Sequence, residues 1–311
     1  QVDEVLVRSR EVLDNFEIGQ KEATFIPRPD YGNLPSVFLL MTDTHYGSVA
    51  SDTELMNEHL KIVEDTPNFF MVHNGDHVDN FNATGKWASG MMEDPLPPQL
   101  VSRAWTEKLL KLDQLGKIGV LSFGNHDDFG QKAGQDWYDS FLGKFQCPVF
   151  TSGGLEHILV GSQHYELAMS HKYWGTSKLN PTNATKRFLE HEYPTADISF
   201  LGHTHQSEGL QFERGGIQRV GIIGGTYKDK DNFARKNGIG GRSGSPGWAI
   251  ALWPERKQMQ LFKDVVVAQQ WMLGQIYVEE SFSNLQTMVH RDDAERLRLI
   301  KIQLDEIKKG R

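Results

Sequence analysis

Hydrophobic and polar positions alternate along this chain in blocks rather than residue by residue. Val37-Phe38-Leu39-Leu40-Met41, Phe69-Phe70-Met71-Val72, Ile118-Gly119-Val120-Leu121, Leu167-Ala168-Met169 and Ile198-Ser199-Phe200-Leu201 are short apolar runs bounded by Gly and polar residues. Runs of that length and continuity predict strands buried on both faces, inside a sheet covered by other layers. Ile158-Leu159-Val160 and the run into Met169 read as a hairpin. Val220–Ile223, Trp248–Leu252 and Met259–Phe262 continue the sheet, with Pro254-Glu255-Arg256-Lys257 as the turn of a closing hairpin. Helical spacing predicts a first helix over residues 1–17, with Leu6, Leu13 and Phe16 on one side. Ser51-Asp52-Thr53-Glu54 has the form of a capping box that opens a helix through Val63. Further helices carry Trp105, Leu109 and Leu112, and run from Asn180-Pro181-Thr182 to His191. From His290 onward, Leu297, Ile300, Leu304 and Ile307 form an a/d-like seam that suits packing on the domain, on the N-terminal helix or on a second copy.

The residues at the end of each buried run are chemically distinctive. Asp43-Thr44-His45, Gly75-Asp76, Gly124-Asn125-His126-Asp127, His171 and Gly202-His203-Thr204-His205 each come directly after a predicted strand. Ligands and catalytic groups in such folds sit in the loops at the carboxyl ends of the strands, so five strand ends at one sheet edge would surround a single point. Any one patch suits an ordinary capping role; five in succession do not. A mixture of carboxylate, imidazole and amide oxygen suits borderline divalent metals such as Mn²⁺, Zn²⁺ or Fe²⁺, with no thiolate involved. Two such ions about 3.5–4 Å apart share a carboxylate and a hydroxide and clamp an in-line phosphoryl displacement, which removes the need for a Ser or Cys nucleophile.

The order D-x-H, G-D-x-x-D, G-N-H-D, H, G-H-x-H resembles the calcineurin-like metallophosphoesterase superfamily, over residues from about 36 to 265. That resemblance implies an α/β fold, a four-layer α/β/β/α sandwich of the metallophosphoesterase type, with helical additions at both termini. It implies one metal held by Asp43, His45 and His205, a second held by Asn125, His171 and His203, and Asp76 bridging them. It further implies His126 as general acid or transition-state donor, oriented by Asp127, with Asp79 orienting ligands from behind. His77 is less usual in the pattern and reads as lying behind the ligands or solvated, with a direct metal role as the lesser alternative. The expected cofactors are two divalent ions, Mn²⁺ first, with Zn²⁺, Fe²⁺ and Ni²⁺ as alternatives. The expected reaction is phosphoester hydrolysis by a metal-bridging hydroxide, with a phosphodiester or nucleic-acid substrate favoured. A phosphomonoesterase acting on nucleotides, sugars or phosphoproteins is the alternative, and a non-catalytic metal-bound scaffold is the alternative outside enzymes. The Asp43–Gly47 and Gly75–Asp79 patches also resemble those of double-strand-break repair nucleases in the superfamily.

Composition narrows partners more than chemistry. Thirty-three Lys and Arg against forty-one Asp and Glu give a net charge of −8, so any footprint for DNA or RNA must be local. Two candidates for such a footprint are Lys172 and Trp174 after the His171 ligand, and Arg235, Lys236 and Arg242 around a Gly-rich segment. The Gly-, Asn-, Met- and Pro-rich stretch Asn80 to Pro98 suits a lid or substrate rim. A single cysteine excludes an intrachain disulfide framework and fits a reducing, cytoplasmic setting. No apolar run is long enough for a membrane span. The expected organisation is an N-terminal helical arm (1–35), a catalytic domain (36–268) and a C-terminal extension with an amphipathic helix (269–311), and the terminal helices are candidates for a homodimer contact. The chain does not open on Met, which leaves room for a segment upstream of residue 1.

Overall fold

The computed structural model describes residues 21–79, 96–127, 143–175, 177, 179–230, 235 and 244–309; beyond 284 it describes only the side chains of Glu295, Arg298 and Lys301. Residues 1–269 cluster as one unit and 270–311 as a second. The first unit holds twelve described strands in two six-stranded sheets. One sheet has the order β12 (Met259–Phe262), β11 (Trp248–Leu252), β2 (Ser36–Met41), β3 (Phe69–Asn74), β4 (Ile118–Ser122), β5 (Val149–Phe150). The other runs β1 (Glu22–Phe25), β6 (Gly154–Val160), β7 (Gln163–Ser170), β8 (Ile198–Leu201), β10 (Ile217–Ile223), β9 (Glu208–Arg214).

The two-sided burial expected of the apolar runs is observed. Every residue of β2, β3, β4, β8 and β11 is buried. Strand pleating sends Phe38, Leu40, Phe70, Val72, Trp248 and Ile250 to one face, where they meet Ile158, Val160, Leu167, Met169, Phe200 and Ile222 of the second sheet in one continuous core. The opposite face of the second sheet is covered by α3 (Asn183–His191), through Ala184, Phe188 and Leu189 against Leu155, Ala168, Leu201 and Ile223. Outside the first sheet, α1 (Thr53–Asp65) packs against β3 through a face that buries Met56, Leu60 and Val63. α2 (Pro98–Gln114) buries Trp105, Leu109 and Leu112. The layers are those of the expected sandwich.

Some boundaries shift. β1 lies inside residues 1–35, yet it pairs in parallel with β6 from Glu22↔Leu155 to Phe25↔Ile158, so the sheet begins upstream of residue 36. The expected helix over 1–17 lies outside the described residues, as does most of the expected rim at 80–98. The last helix, α4 (Val265–Lys309), begins well before His290, and its a/d-like seam falls on side chains outside those described. The cap of α1 is Asp52, whose Oδ1 accepts from Leu55 N at 3.0 Å. Ser51 is drawn away to donate to His45 O at 2.8 Å, so the capping box does not form.

One core residue breaks the apolar pattern. Glu156 on β6 is fully buried in the layer between the sheets, and neither carboxyl oxygen has a hydrogen-bond partner among the described residues. Gly119 of β4 leaves room for it, since a Cβ there would meet Oε1 at 2.5 Å. Burial pushes the Glu156 carboxyl up from 4.5 to about 8, so the folded protein keeps it protonated while the unfolded chain ionises. With the folded value above the unfolded one, the unfolded state binds fewer protons and stability falls as pH rises from about 4.5 to about 8, by on the order of 5 kcal/mol. Glu156→Gln is therefore expected to flatten that slope and to exceed the wild type in stability at pH 8, measured by urea unfolding across pH. Parallel curves for the two proteins would contradict this.

Candidate metal centre

The five patches converge. β2, β3 and β4 are mutually parallel, as are β7 and β8, so their carboxyl ends open on one edge of the two sheets. Asn74, at the end of β3, ties the edges together: its side-chain amide donates to Ser170 O (3.0 Å) and Phe200 O (2.9 Å) of the other sheet. The loops leave their strands in an unusual conformation. Asp43, His45, Asp76, His203 and His205 all have positive φ, between 43° and 71°, a left-handed region that non-glycine residues adopt at a cost of order 1–3 kcal/mol. Strain concentrated on five predicted ligands is the backbone signature of a built site. The adjacent glycines permit close approach, since a Cβ on Gly124 would collide with Asp76 Oδ1, and one on Gly202 would sit 2.8 Å from Asp43 Oδ2.

The donor atoms fall into sets. Asp43, His45 and His205 bring one atom each within 4.8 Å of one another, as do Asp76, His171 and His203, and also His45, Asp76 and His126. The first two sets are adjacent: His45 Nε2 lies 3.9 Å from Asp76 Oδ2, and His171 Nε2 lies 4.0 Å from Asp43 Oδ1. Asn125 Oδ1 is buried without a hydrogen-bond partner among the described residues. His171 donates through Nδ1 to Asn74 O (2.7 Å), which turns Nε2 toward Asp76 Oδ2 at 3.0 Å without hydrogen-bond geometry. A buried amide oxygen without a partner among the described residues, and an imidazole nitrogen set against two carboxylates without hydrogen-bond geometry, suit a site built for a cation.

The electrostatics agree. Burial, the largest single influence, would raise Asp43 and Asp76, yet the surrounding imidazoles, His171 foremost, together outweigh it and hold both carboxyls below their usual range. Burial would likewise lower His171, but Asp76 and Asp43 push the imidazole up to about 10, a measure of how strongly the two carboxylates favour positive charge at this point. His45 goes the other way: burial pulls it down to about 4 against the pull of Asp79, leaving a neutral ring with a lone pair to offer.

A family model, Calcineurin-like phosphoesterase, matches residues 36–207, more than half of the chain. The chain belongs to this family. The phosphoesterase is a metal-dependent hydrolase of phosphoesters, with a mixed α/β fold. Among solved structures it is similar to a Thermotoga maritima protein (15% identity, TM-score 0.34, covering 73% of this chain and 98% of that one). It is also similar to zinc-complexed Vps29 from Entamoeba histolytica (12%, 0.32, 72% and 96%) and to a metallophosphoesterase from Sphaerobacter thermophilus (13%, 0.32, 73% and 87%). No curated protein matches. None of the phosphoesterase's described helices is long and apolar enough to cross a membrane.

Residues around the ligands take roles that the sequence did not disclose. Asp127, expected to orient His126, instead clamps the ligand loops: Oδ2 accepts from Gly124 N (2.7 Å) and Asp76 N (2.9 Å), and Oδ1 from His77 N (3.1 Å). The His126 ring is anchored by Asp79 O, which accepts from Nδ1 at 2.7 Å. His77 is not solvated: it is fully buried, stacks on His73 and accepts from Trp105 Nε1 at 3.0 Å, with its other ring nitrogen 2.9 Å from Ser122 O. Lys172 and Trp174 are exposed beside His171, and Trp174 carries the Arg187 guanidinium 5.1 Å from its ring centroid. Arg235 is exposed, while Lys236 and Arg242 lie outside the described residues.

Lys228 is the largest addition to the site. Its ammonium pairs with Asp79 Oδ2 in a buried contact, while Asp79 Oδ1 lies 2.8 Å from His45 Nδ1, at an angle outside hydrogen-bond geometry. The carboxylate behind the imidazole directs His45 Nε2 toward Asp43 and His205. Lys228→Met should leave Asp79 buried without its cation, destabilising the protein by about 3–5 kcal/mol. It should also weaken metal binding by about 10–100-fold. Urea unfolding and Mn²⁺ titration read the two effects separately; unchanged metal affinity would remove Lys228 from the support of the site.

Proposed function

We propose that this chain is a two-metal phosphodiesterase acting on nucleic acid or nucleotides. The observation that carries this reading is the meeting of six predicted ligands at one sheet edge in two adjacent sets, with the buried Asn125 Oδ1 unpaired among the described residues. In this reading Asp43, His45 and His205 hold one ion, Asn125, His171 and His203 hold the other, and Asp76 is shared. Mn²⁺ suits the oxygen- and imidazole-rich donors. The ions supply Lewis acidity and a nucleophile usable at neutral pH. The protein's own residues do the rest. Asp127 fixes the loops that carry Asp76 and Asn125, and Asp79 with Lys228 aims His45. Anchored by Asp79 O, His126 delivers a proton to the leaving oxygen.

The preference for a diester rests on the surface beside His171. Trp174 is 58% exposed, stacked by His191 on a tilt of 21° and covered by the Arg187 cation, next to Lys172. An exposed indole flanked by cations provides a stacking platform for a base and charge for the neighbouring phosphate. Base stacking contributes about 1–3 kcal/mol, so Trp174→Ala should raise KM for a single-stranded oligonucleotide roughly 10–100-fold and leave hydrolysis of bis(p-nitrophenyl) phosphate unchanged. Mn²⁺-dependent cleavage of labelled single- and double-stranded oligonucleotides tests this. Failure to cleave either strand form, with small diesters still hydrolysed, would remove nucleic acid from the reading.

A further inference from the structure

We propose a separate divalent-cation site, for Zn²⁺ or a similar borderline metal, on the outer face of the β6–β7 hairpin, formed by His157, His164 and Glu166. Antiparallel pairing sets His157 directly opposite Glu166, while His164, opposite Leu159, is the diagonal neighbour on the same face. The three side chains each bring one donor atom within 4.8 Å of the others. His157 Nδ1 lies 3.0 Å from His164 Nε2 and 3.9 Å from Glu166 Oε1. Metal–ligand bonds of about 2.0–2.2 Å in tetrahedral geometry put ligand atoms roughly 3.3 Å apart, between those two values. The three side chains require only small adjustments to close around an ion.

Two further features favour a cation over a plain cross-strand cluster. Glu166 Oε2 is buried without a hydrogen-bond partner among the described residues, although Glu166 N is satisfied by Asp197 Oδ2 at 2.9 Å. Lys257, the nearby cation, is engaged by Asp197 Oδ1 at 2.8 Å. The two imidazoles also stack at 28° with ring nitrogens converging, which leaves the carboxylate as the third corner. His₂Glu is a donor set that zinc accepts with a fourth position open, and the exposure of His164 gives the cluster access to solvent. The site is distinct from the predicted catalytic one: β7 carries Glu166 five residues before His171, about 17 Å of extended strand. Bound metal would staple the two strands of the hairpin whose end presents His171, and would stabilise the fold by mass action.

The test compares the wild type with His164→Ala, an exposed position, and Glu166→Gln, an isosteric change at a part-buried one, both outside the predicted catalytic ligands. After equilibration with excess Zn²⁺ and removal of free metal, the wild type should retain one equivalent of zinc per chain more than either variant. The wild type should also show a larger zinc-dependent rise in Tm, with Mn²⁺-dependent phosphodiester hydrolysis equal in all three. Co²⁺ substitution should give a tetrahedral absorption component that both variants lack. Equal zinc content, equal thermal shifts and identical Co²⁺ spectra in the three proteins would overturn the proposal. Because the readout is a difference between proteins with the same catalytic ligands, it is independent of what the catalytic centre binds.

Discussion

Asp76→Asn is expected to reduce turnover to background at micromolar Mn²⁺ while leaving the fold intact. The substitution is isosteric and keeps an oxygen that can accept from His126 N, now 2.9 Å from Asp76 Oδ1. It removes the negative charge positioned between the two ligand sets, 3.0 Å from His171 Nε2 and 3.9 Å from His45 Nε2. At an effective dielectric near 20, one unit charge about 4 Å from a unit cation contributes roughly 4 kcal/mol. That is roughly a 10³-fold loss of affinity for each unit of metal charge. Mn²⁺ carries two units, about 10⁶-fold in all, so activity should stay at background even at millimolar Mn²⁺. Calorimetric titration of metal alongside an activity titration checks both halves. A variant that binds Mn²⁺ as tightly as the wild type would show that Asp76 is not shared between two ions.

His126→Ala should separate chemistry from metal binding. The ring packs edge-on against His45 at 4.7 Å and its Nδ1 is held by Asp79 O, so its position is fixed by residues that stay in place when it is removed. Anchoring Nδ1 assigns Nε2 to the leaving oxygen. Losing a positioned general acid typically lowers the rate by about 10²–10⁴-fold. The full effect is expected for alkyl diesters, including oligonucleotides, whose alkoxide leaves poorly without a proton. p-Nitrophenyl esters depart as a stabilised phenolate, so for them the loss should be far smaller. Mn²⁺ affinity should be unchanged. Equal losses on both leaving groups would contradict proton donation and assign His126 to phosphate binding.

The fold was most legible where burial acts on both faces of a strand. β2, β3, β4, β8 and β11 leave unbroken apolar runs, and four of these five lead into predicted ligands. β1 and β9 left no such trace because they are sheet edges. β1 buries only Ala23 fully, and β9 is half exposed along its length, with only the Gly215-Gly216 turn into β10 to mark the hairpin. Side-chain roles were legible in proportion to their sequence distance from a motif. Asp127 was visible as the last letter of G-N-H-D but not as the clamp on backbone amides about 50 residues away, because hydrogen-bond direction is a property of the folded loop. Lys228 lies 149 residues from Asp79 and reads as a surface lysine beside Asp229 until the sheets bring it inside. The His157–His164–Glu166 cluster escaped for the opposite reason: its members are close in sequence, but only the hairpin register shows that they share a face.

A two-metal centre that prefers diesters is tested most directly by Mn²⁺-dependent hydrolysis of bis(p-nitrophenyl) phosphate and p-nitrophenyl phosphate side by side, with Asp76→Asn as the blank. Turnover should require Mn²⁺, run faster on the diester and be lost in the blank. A faster monoester reaction would contradict the substrate assignment, and no turnover of either ester by the metal-loaded protein would contradict the proposed diesterase.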